Sequence, residues 1–247
     1  MTENLIPVRM FAMKLKKDGT PNKAYERIKG YRDTLTSLAV AENPSQASRV
    51  RVTGCKLEEN TYMRNDGTLS EKNFSINASF INNARDTDTD KATFEIKGAV
   101  VGKMMNEVNS NNEDTGNLIV EAIIIGYNGK ANVIKMIASG PAKAHIEENW
   151  SEGDTVNVNG VINMYSQVQV TYEEQGFGPK LERRNVKFRQ DLVILGGSGT
   201  GLDESYSYDS SDVKVALSDR KAALEALKNK PATTAPTKGK ANPGFDF

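Results

Sequence analysis

LIVEAIIIGYNGKANVIKMIA, residues 118–138, is a pair of apolar runs around an Asn-Gly turn, and the register of that turn decides the fold around it. A two-residue turn at Asn128-Gly129 would put Glu121 and Lys135 on opposite faces and send one charge into the core. A three-residue turn with Gly129 left-handed instead pairs Glu121 with Lys135 on one face. Val120, Ala122, Ile124, Ile134 and Met136 then line the other face. Burying an unpaired charge is costly, so the second register is expected. The outer face also carries Ile123 and Val133, too apolar for an idle wet surface. It is expected to be a contact surface or to lie beneath an N-terminal hairpin.

Working outward, TFEIKGAVVGKMM (residues 93–105) is a long strand in which Gly98 and Gly102 suit a strong bend. A polar loop, residues 106–117, leads into the hairpin. PAKAHIEENW (141–150) is a short helix entered by a proline. TVNVNGVINMYSQVQV (155–170) is a fourth strand with an internal glycine, Gly160. A second long loop, TYEEQGFGPKLERR (171–184), precedes a fifth strand, NVKFRQDLVILGG (185–197).

Three strands, a short helix and two more strands, with glycine-bent strands one and four, resemble the OB-fold over residues 93–197. WSEGDTVNVNGVI (150–162) is the most telling local match. The resemblance implies a five-stranded barrel. In such barrels the face of strands two and three, and the loops after strands one and four, bind single strands or sugars. The expected fold class is therefore mainly β: an OB-like barrel at 93–200, an extension at 1–92 and a flexible tail at 201–247. In the extension, residues 23–42 read as a helix stopped by Asn43-Pro44. Residues 48–63 and 73–84 read as a β-hairpin turning at Asp66-Gly67.

The glycine-rich run after strand five, GGSGTG (196–201), fails as a phosphate loop. Neither dinucleotide spacing ends on a third glycine, and Leu202-Asp203 replace the Lys-Ser/Thr of the alternative pattern. It reads as a strand end running into a linker. Beyond it, a short helix is expected with Ser218 as N-cap and a stripe of Leu217, Leu224 and Leu227. Residues 231–247 are disorder-prone by composition but end in GFDF.

The chain of 247 residues has 32 Lys+Arg against 32 Asp+Glu, a zero net charge that leaves a nucleic-acid partner open because distribution matters more than the sum. No apolar run has membrane-spanning length, and the first residues lack a secretory layout. A single cysteine, Cys55, excludes internal disulfides and fits a reducing cytoplasm. The single histidine, His145, falls on the short helix rather than in a nucleophile–base arrangement. Trp150, just after it, reads as a core or helix-cap plug. Asp86, Asp88 and Asp90 have calcium-loop spacing, but Lys91 stands where glycine is needed and Lys97 where the closing glutamate is needed. No catalytic set, metal site or cofactor is implied, so a non-enzymatic role is expected.

The loop after strand four and strand five itself carry Tyr172, Phe177, Lys180, Arg183 and Arg184, then Lys187 and Arg189. Rings interleaved with cations are what non-specific single-strand binding requires, since rings stack on bases and cations track phosphates. Lys187 and Arg189 alternate with Val186 and Phe188 and should share a face. Tyr127 at the hairpin tip, Lys135 on strand three and Tyr165 on strand four complete the candidate surface. Glu107, Glu113 and Asp114 make the loop after strand one acidic. At the other end, Phe245, Asp246 and Phe247 form an aromatic-acidic peptide suited to a basic-rimmed pocket.

Barrel, aromatic-basic loop, linker and tip together resemble single-stranded DNA-binding proteins, in build the bacteriophage kind. The resemblance implies a cytoplasmic protein, in the host cell if phage-encoded. It would coat exposed strands without sequence preference in replication or recombination and dock partner proteins through Phe245–Phe247. The chain departs from that pattern in two ways: Lys238 and Lys240 precede the tip, and about ninety residues precede the barrel. A second expectation, from another class, is a phage virion or assembly protein that uses its outer apolar face as a subunit interface.

Overall fold

Each of the five runs expected between residues 93 and 197 is a strand, and together they close a barrel. The computed structural model describes residues 4–64, 67–70, 74–109, 111–126, 128–173, 177, 180–199, 201 and 208–229, with backbone only at 166–169, 171, 173 and 183–188. In chain order the elements are β1 (Val8–Arg9), α1 (Lys23–Thr34), β2 (Val50–Thr53), β3 (Lys56–Glu59), β4 (Phe74–Asn77) and β5 (Phe80–Asn83). The barrel follows as β6 (Thr93–Val108), β7 (Asp114–Ile125), β8 (Ala131–Ala138), α2 (Gly140–Asn149), β9 (Thr155–Glu173) and β10 (Leu181–Gly197), with α3 (Ser210–Lys228) after it.

Around the barrel the order is β10-β8-β7-β6-β9, closed by β9 on β10. All pairs are antiparallel except β8 with β10, which meet in parallel at Ile137 and Val193. This is an OB-like barrel. The long polar loop expected at 106–117 shrinks to residues 109–113, because β6 and β7 pair out to Val108 and Asp114.

The hairpin register is the expected one. Glu121 faces Lys135 and Val120 faces Met136, and the Gly129 N–H closes a three-residue turn on the Gly126 carbonyl with φ +73°. Val120, Ala122, Ile134 and Met136 are buried, and Ile124 packs against the same core. The bend of β6 is localised at its glycines. Pairing with β9 slips between Ile96 and Ala99, around Gly98, and pairing with β7 slips between Val101 and Met104, around Gly102. On β9, Gly160 lies where a Cβ would collide with the Val193 carbonyl and the Phe94 ring. The strands cross too closely there for any side chain.

α2 packs on β7, β8 and β10 and contributes Ile146 to the core. Trp150 caps it, buried, with its indole N–H donated to the Ser198 carbonyl at 3.2 Å. The Ser198 hydroxyl accepts from the Asn157 N–H at 2.7 Å. The start of the glycine-rich run is thus the pinned end of a barrel strand.

The N-terminal hairpin forms, but it is creased. β2 pairs with β5 and β3 with β4 in one continuous register, interrupted at Gly54-Cys55 and Ala78-Ser79. Its tip closes through the Arg64 N–H on Thr68 and the Gly67 N–H on Arg64. β1 lies parallel to β4. Phe74 and Ile76 of β4 enter the barrel's own core, so this extension augments the barrel. α1 is shorter than expected: it ends at Thr34, because the Leu35 N–H caps it and the backbone then turns away to exchange hydrogen bonds with Ser48.

The C-terminal helix also differs from the expectation. It begins at an Asp209 cap, whose carboxylate accepts from the Ser211 N–H at 2.9 Å, and Ser218 lies in its interior. Val213 and Ala216, with Tyr208 and Leu217 beside them, pack on Val100, Ile123, Ala131 and Val133. The outer apolar face of the β7–β8 hairpin is therefore covered chiefly by α3. The N-terminal hairpin reaches its edge through Glu59, which accepts from the Val133 N–H at 3.2 Å.

Candidate nucleic-acid interface

β9 and β10 outrun the barrel. β6 pairs with β9 no further than Val161. Residues 4 and 5 then take over the same edge: Asn4 bonds to the Ile162 carbonyl and Met164 N–H, and the Leu5 N–H to the Met164 carbonyl. Beyond Met164 the two strands pair only with each other, from Tyr165–Arg189 out to Glu173–Leu181. At about 3.4 Å per residue this two-stranded ribbon extends on the order of 27 Å. Residues 171–173 and 181–184, expected in a loop, are strand, and the connection is only 174–180.

The pairing sorts the candidate residues by face, since partners across an antiparallel ladder share one. Arg183, Lys187 and Arg189 fall on one face, opposite Thr171, Gln167 and Tyr165. Arg184 falls on the other, opposite Val170, together with Tyr172 and Phe188. Lys187 and Arg189 share a face as expected, whereas the adjacent arginines 183 and 184 are split between faces. At the tip Tyr172 is 64% exposed and Phe177 91% exposed, with Lys180 exposed between Phe177 and the returning strand.

Arg189 has a different role from the rest. Its guanidinium donates to Glu107 at 2.6 Å and lies 3.1 Å from Asp191. The Glu107 carboxylate also accepts from Asn117 and Thr115. Burial pushes Glu107 up, but these hydrogen bonds and Arg189 together hold its carboxyl below the usual range. Burial pushes Asp191 up, and Arg189 only partly offsets it. Two carboxylates around one guanidinium leave no positive charge for a phosphate, so Glu107 at the end of β6 and Asp191 on β10 itself neutralise the root of the ribbon. The acidic residues at 107–114, expected in a loop, carried the signal for this, but Arg189 lay 82 residues away.

Lys135 is exposed on β8 across from Glu121, and Tyr165 is half-buried at the ribbon's root. Both stand apart from the exposed tip. Tyr127 and the terminal Phe245, Asp246 and Phe247 lie outside the described residues. So do the side chains of Arg183, Arg184 and Lys187. Asp88 and Asp90, two of the calcium-spaced carboxylates, pair with Arg51 and Arg49. Among the described residues no three His, Cys, Asp or Glu groups are placed to hold a metal. No described helix is long and apolar enough to cross a membrane.

Sequence reasoning expected the face of strands two and three to be a contact surface or to lie beneath the N-terminal hairpin, and missed that the C-terminal helix is what covers it. α3 lies on it, and Arg220 fastens the helix by two hydrogen bonds, 2.6 and 2.7 Å, to the Glu59 carboxylate. Burial pushes Glu59 up, but Arg220, Thr61 and the Val133 N–H together bring it below the usual carboxylate range. Of the candidate binding residues described, those at the ribbon's tip remain exposed. Among the curated proteins none matches the chain. A family model described as YorF matches residues 1–230, spanning the N-terminal hairpin, the barrel and the C-terminal helix, and the chain accordingly belongs to the YorF family.

Proposed function

We propose that this protein is a non-enzymatic, phage-type binder of single-stranded DNA with little sequence preference, and that the β9–β10 ribbon is its contact surface. The observation that carries this reading is the ribbon's tip on an OB-like barrel, with two exposed rings, Tyr172 and Phe177, and an exposed Lys180 close by in the chain. Exposing large rings to water has no value for folding. It suits stacking on bases, at roughly 1–3 kcal/mol each, while cations follow the phosphates. Protection of exposed strands in replication or recombination follows from this binding, and the tip at Phe245–Phe247 serves to recruit protein partners.

The alternative, a virion or assembly protein, drew its strength from an outer apolar face free to pack on neighbours. That face is covered by α3 within the same chain, which favours the binding reading.

The test is a titration of matched oligo-dT and oligo-U at two salt concentrations. The wild type should bind more weakly as salt rises. The variant with Tyr172, Phe177, Arg183 and Arg184 all changed to Ala should lose most of its affinity while melting normally. Full binding by that variant would remove the ribbon from the mechanism.

A further inference from the structure

The chain's charge is neutral in total but uneven in place. Between residues 8 and 32 there are eight Lys+Arg and two Asp+Glu, so the remainder of the chain is net acidic. All eight cations are exposed. None forms an ion pair with a carboxylate among the described residues, unlike Arg49, Arg51, Arg189 and Arg220. A windowed charge count would have revealed this concentration in the sequence; a whole-chain sum conceals it.

The fold holds these charges on a fixed support. Lys14, Lys16 and Lys17 lie on a tight turn, closed by Lys16 N–H to the Thr20 carbonyl and Asn22 N–H to the Lys14 carbonyl. Asn22 then caps α1, accepting from the Ala24 N–H at 3.0 Å, so turn and helix form one unit. The helix is pinned to β5: the Arg27 guanidinium sits 4.4 Å from the centre of the Phe80 ring, and the Tyr31 hydroxyl accepts from the Ile81 N–H. Arg27 is thereby used as a strut, while Lys23, Lys29 and Arg32 remain on the helix exterior. Just before the turn, Phe11 is 87% exposed and Met13 65% exposed.

The ribbon's tip likewise sets exposed rings, Tyr172 and Phe177, near an exposed lysine, Lys180. The two surfaces are also tethered together, since Leu5 is hydrogen-bonded to Met164 at the ribbon's root. Lys14 lies nine positions after Leu5, at most roughly 30 Å of extended chain.

We infer that residues 9–32 form a second polyanion-binding surface, which takes the phosphate backbone of single-stranded DNA continuing from the ribbon. The inference rests on the ribbon reading for the identity of the polymer, and on charge complementarity for the site itself. It makes the footprint bipartite: a short oligonucleotide engages the ribbon alone, and a longer one reaches both.

The test compares wild type, the triple variant Lys14→Ala/Lys16→Ala/Lys17→Ala, and the ribbon variant Tyr172→Ala/Phe177→Ala. Each binds dT8 and dT30 across a salt series, with melting curves to verify folding. Three lost phosphate contacts should flatten the triple variant's log K against log salt slope on dT30 by about 2, and weaken binding at low salt at least roughly tenfold. Binding to dT8 should barely change. An unaltered slope on dT30, with the ribbon variant still defective, overturns the second surface and leaves the ribbon reading standing. A flattened slope with a fully active ribbon variant has the opposite meaning: it supports this surface and overturns the ribbon. Absence of dT30 binding by the wild type overturns both. Phosphatidylserine vesicles serve as a further arm. If the triple substitution abolishes vesicle binding and leaves dT30 binding intact, the surface is a membrane contact and the inference fails.

Discussion

Arg220 on the last helix grips both carboxylate oxygens of Glu59, 161 residues earlier in the chain, at 2.6 and 2.7 Å. Glu59 in turn accepts from the Val133 N–H of β8. One carboxylate therefore ties together the N-terminal hairpin, the barrel and the C-terminal helix. The helix's apolar contact is small, built on Val213 and Ala216, so the ion pair matters to whether the helix stays docked.

Replacing Arg220 with Ala should leave Glu59 half-buried and short of its charged partner. Hydrogen bonds to charged groups contribute about 1.5–3 kcal/mol, and a loss of about 2 kcal/mol in the docking of α3 is expected. Amide hydrogen exchange is the direct measurement: α3 should lose protection while the barrel strands keep theirs. Equal protection of α3 in both proteins would show that apolar packing alone holds the helix.

The same contact should make helix docking sensitive to acid. The Glu59 carboxyl is lower in the folded protein than in the unfolded chain, because Arg220, Thr61 and the Val133 N–H outweigh its burial. A depressed carboxylate contributes its full stabilisation above its unfolded pKa and loses it as pH falls through the folded one. The wild type should thus be more stable than Glu59→Gln at neutral pH, and the gap should begin to narrow as pH falls below the ordinary glutamate pKa of about 4.3. Paired thermal melts between pH 7 and 3 test this, and a gap constant across that range would contradict it.

Arg189 and Tyr172 should separate structure from binding. Arg189→Ala leaves Glu107 and Asp191 facing each other without their shared cation, so stability should fall by about 1–3 kcal/mol in urea titration. The salt slope of oligonucleotide binding should stay unchanged, because that charge is already neutralised. Tyr172→Ala should do the reverse, weakening oligo-dT binding by about 1 kcal/mol or more with no shift in melting temperature.

Gly160→Ala probes the closest approach in the barrel. The added methyl group would meet the Val193 carbonyl and the Phe94 ring, neither of which has room to withdraw from a closed sheet. Overpacking of this sort costs about 1–3 kcal/mol and sometimes more. Chemical denaturation should show a loss at or above the top of that range, and a neutral result would mean that β9 and β10 can part locally.

Local chemistry made much of the barrel legible. Glu121 and Lys135 had only one register in which neither charge was buried, and Gly98, Gly102 and Gly160 marked where strands bend or cross. The helix ends were less so. Ser218 was as good a cap on local grounds as Asp209, but Asp209 starts a helix long enough to bring Val213 and Ala216 onto the barrel. The candidate site was half visible: the residue types could be read, while their division between two ribbon faces depended on a strand that continued through what resembled a loop.

What the sequence determined by itself was therefore the alternation of apolar and charged residues, the bends and the tight turn, because these are settled between neighbours a few residues apart. Tertiary structure alone decided which charges were spent and which remained available. Arg189 met Glu107 and Arg220 met Glu59 only after distant segments were brought together. An ion pair depends on distance in space, and separation along the chain carries almost no information about it.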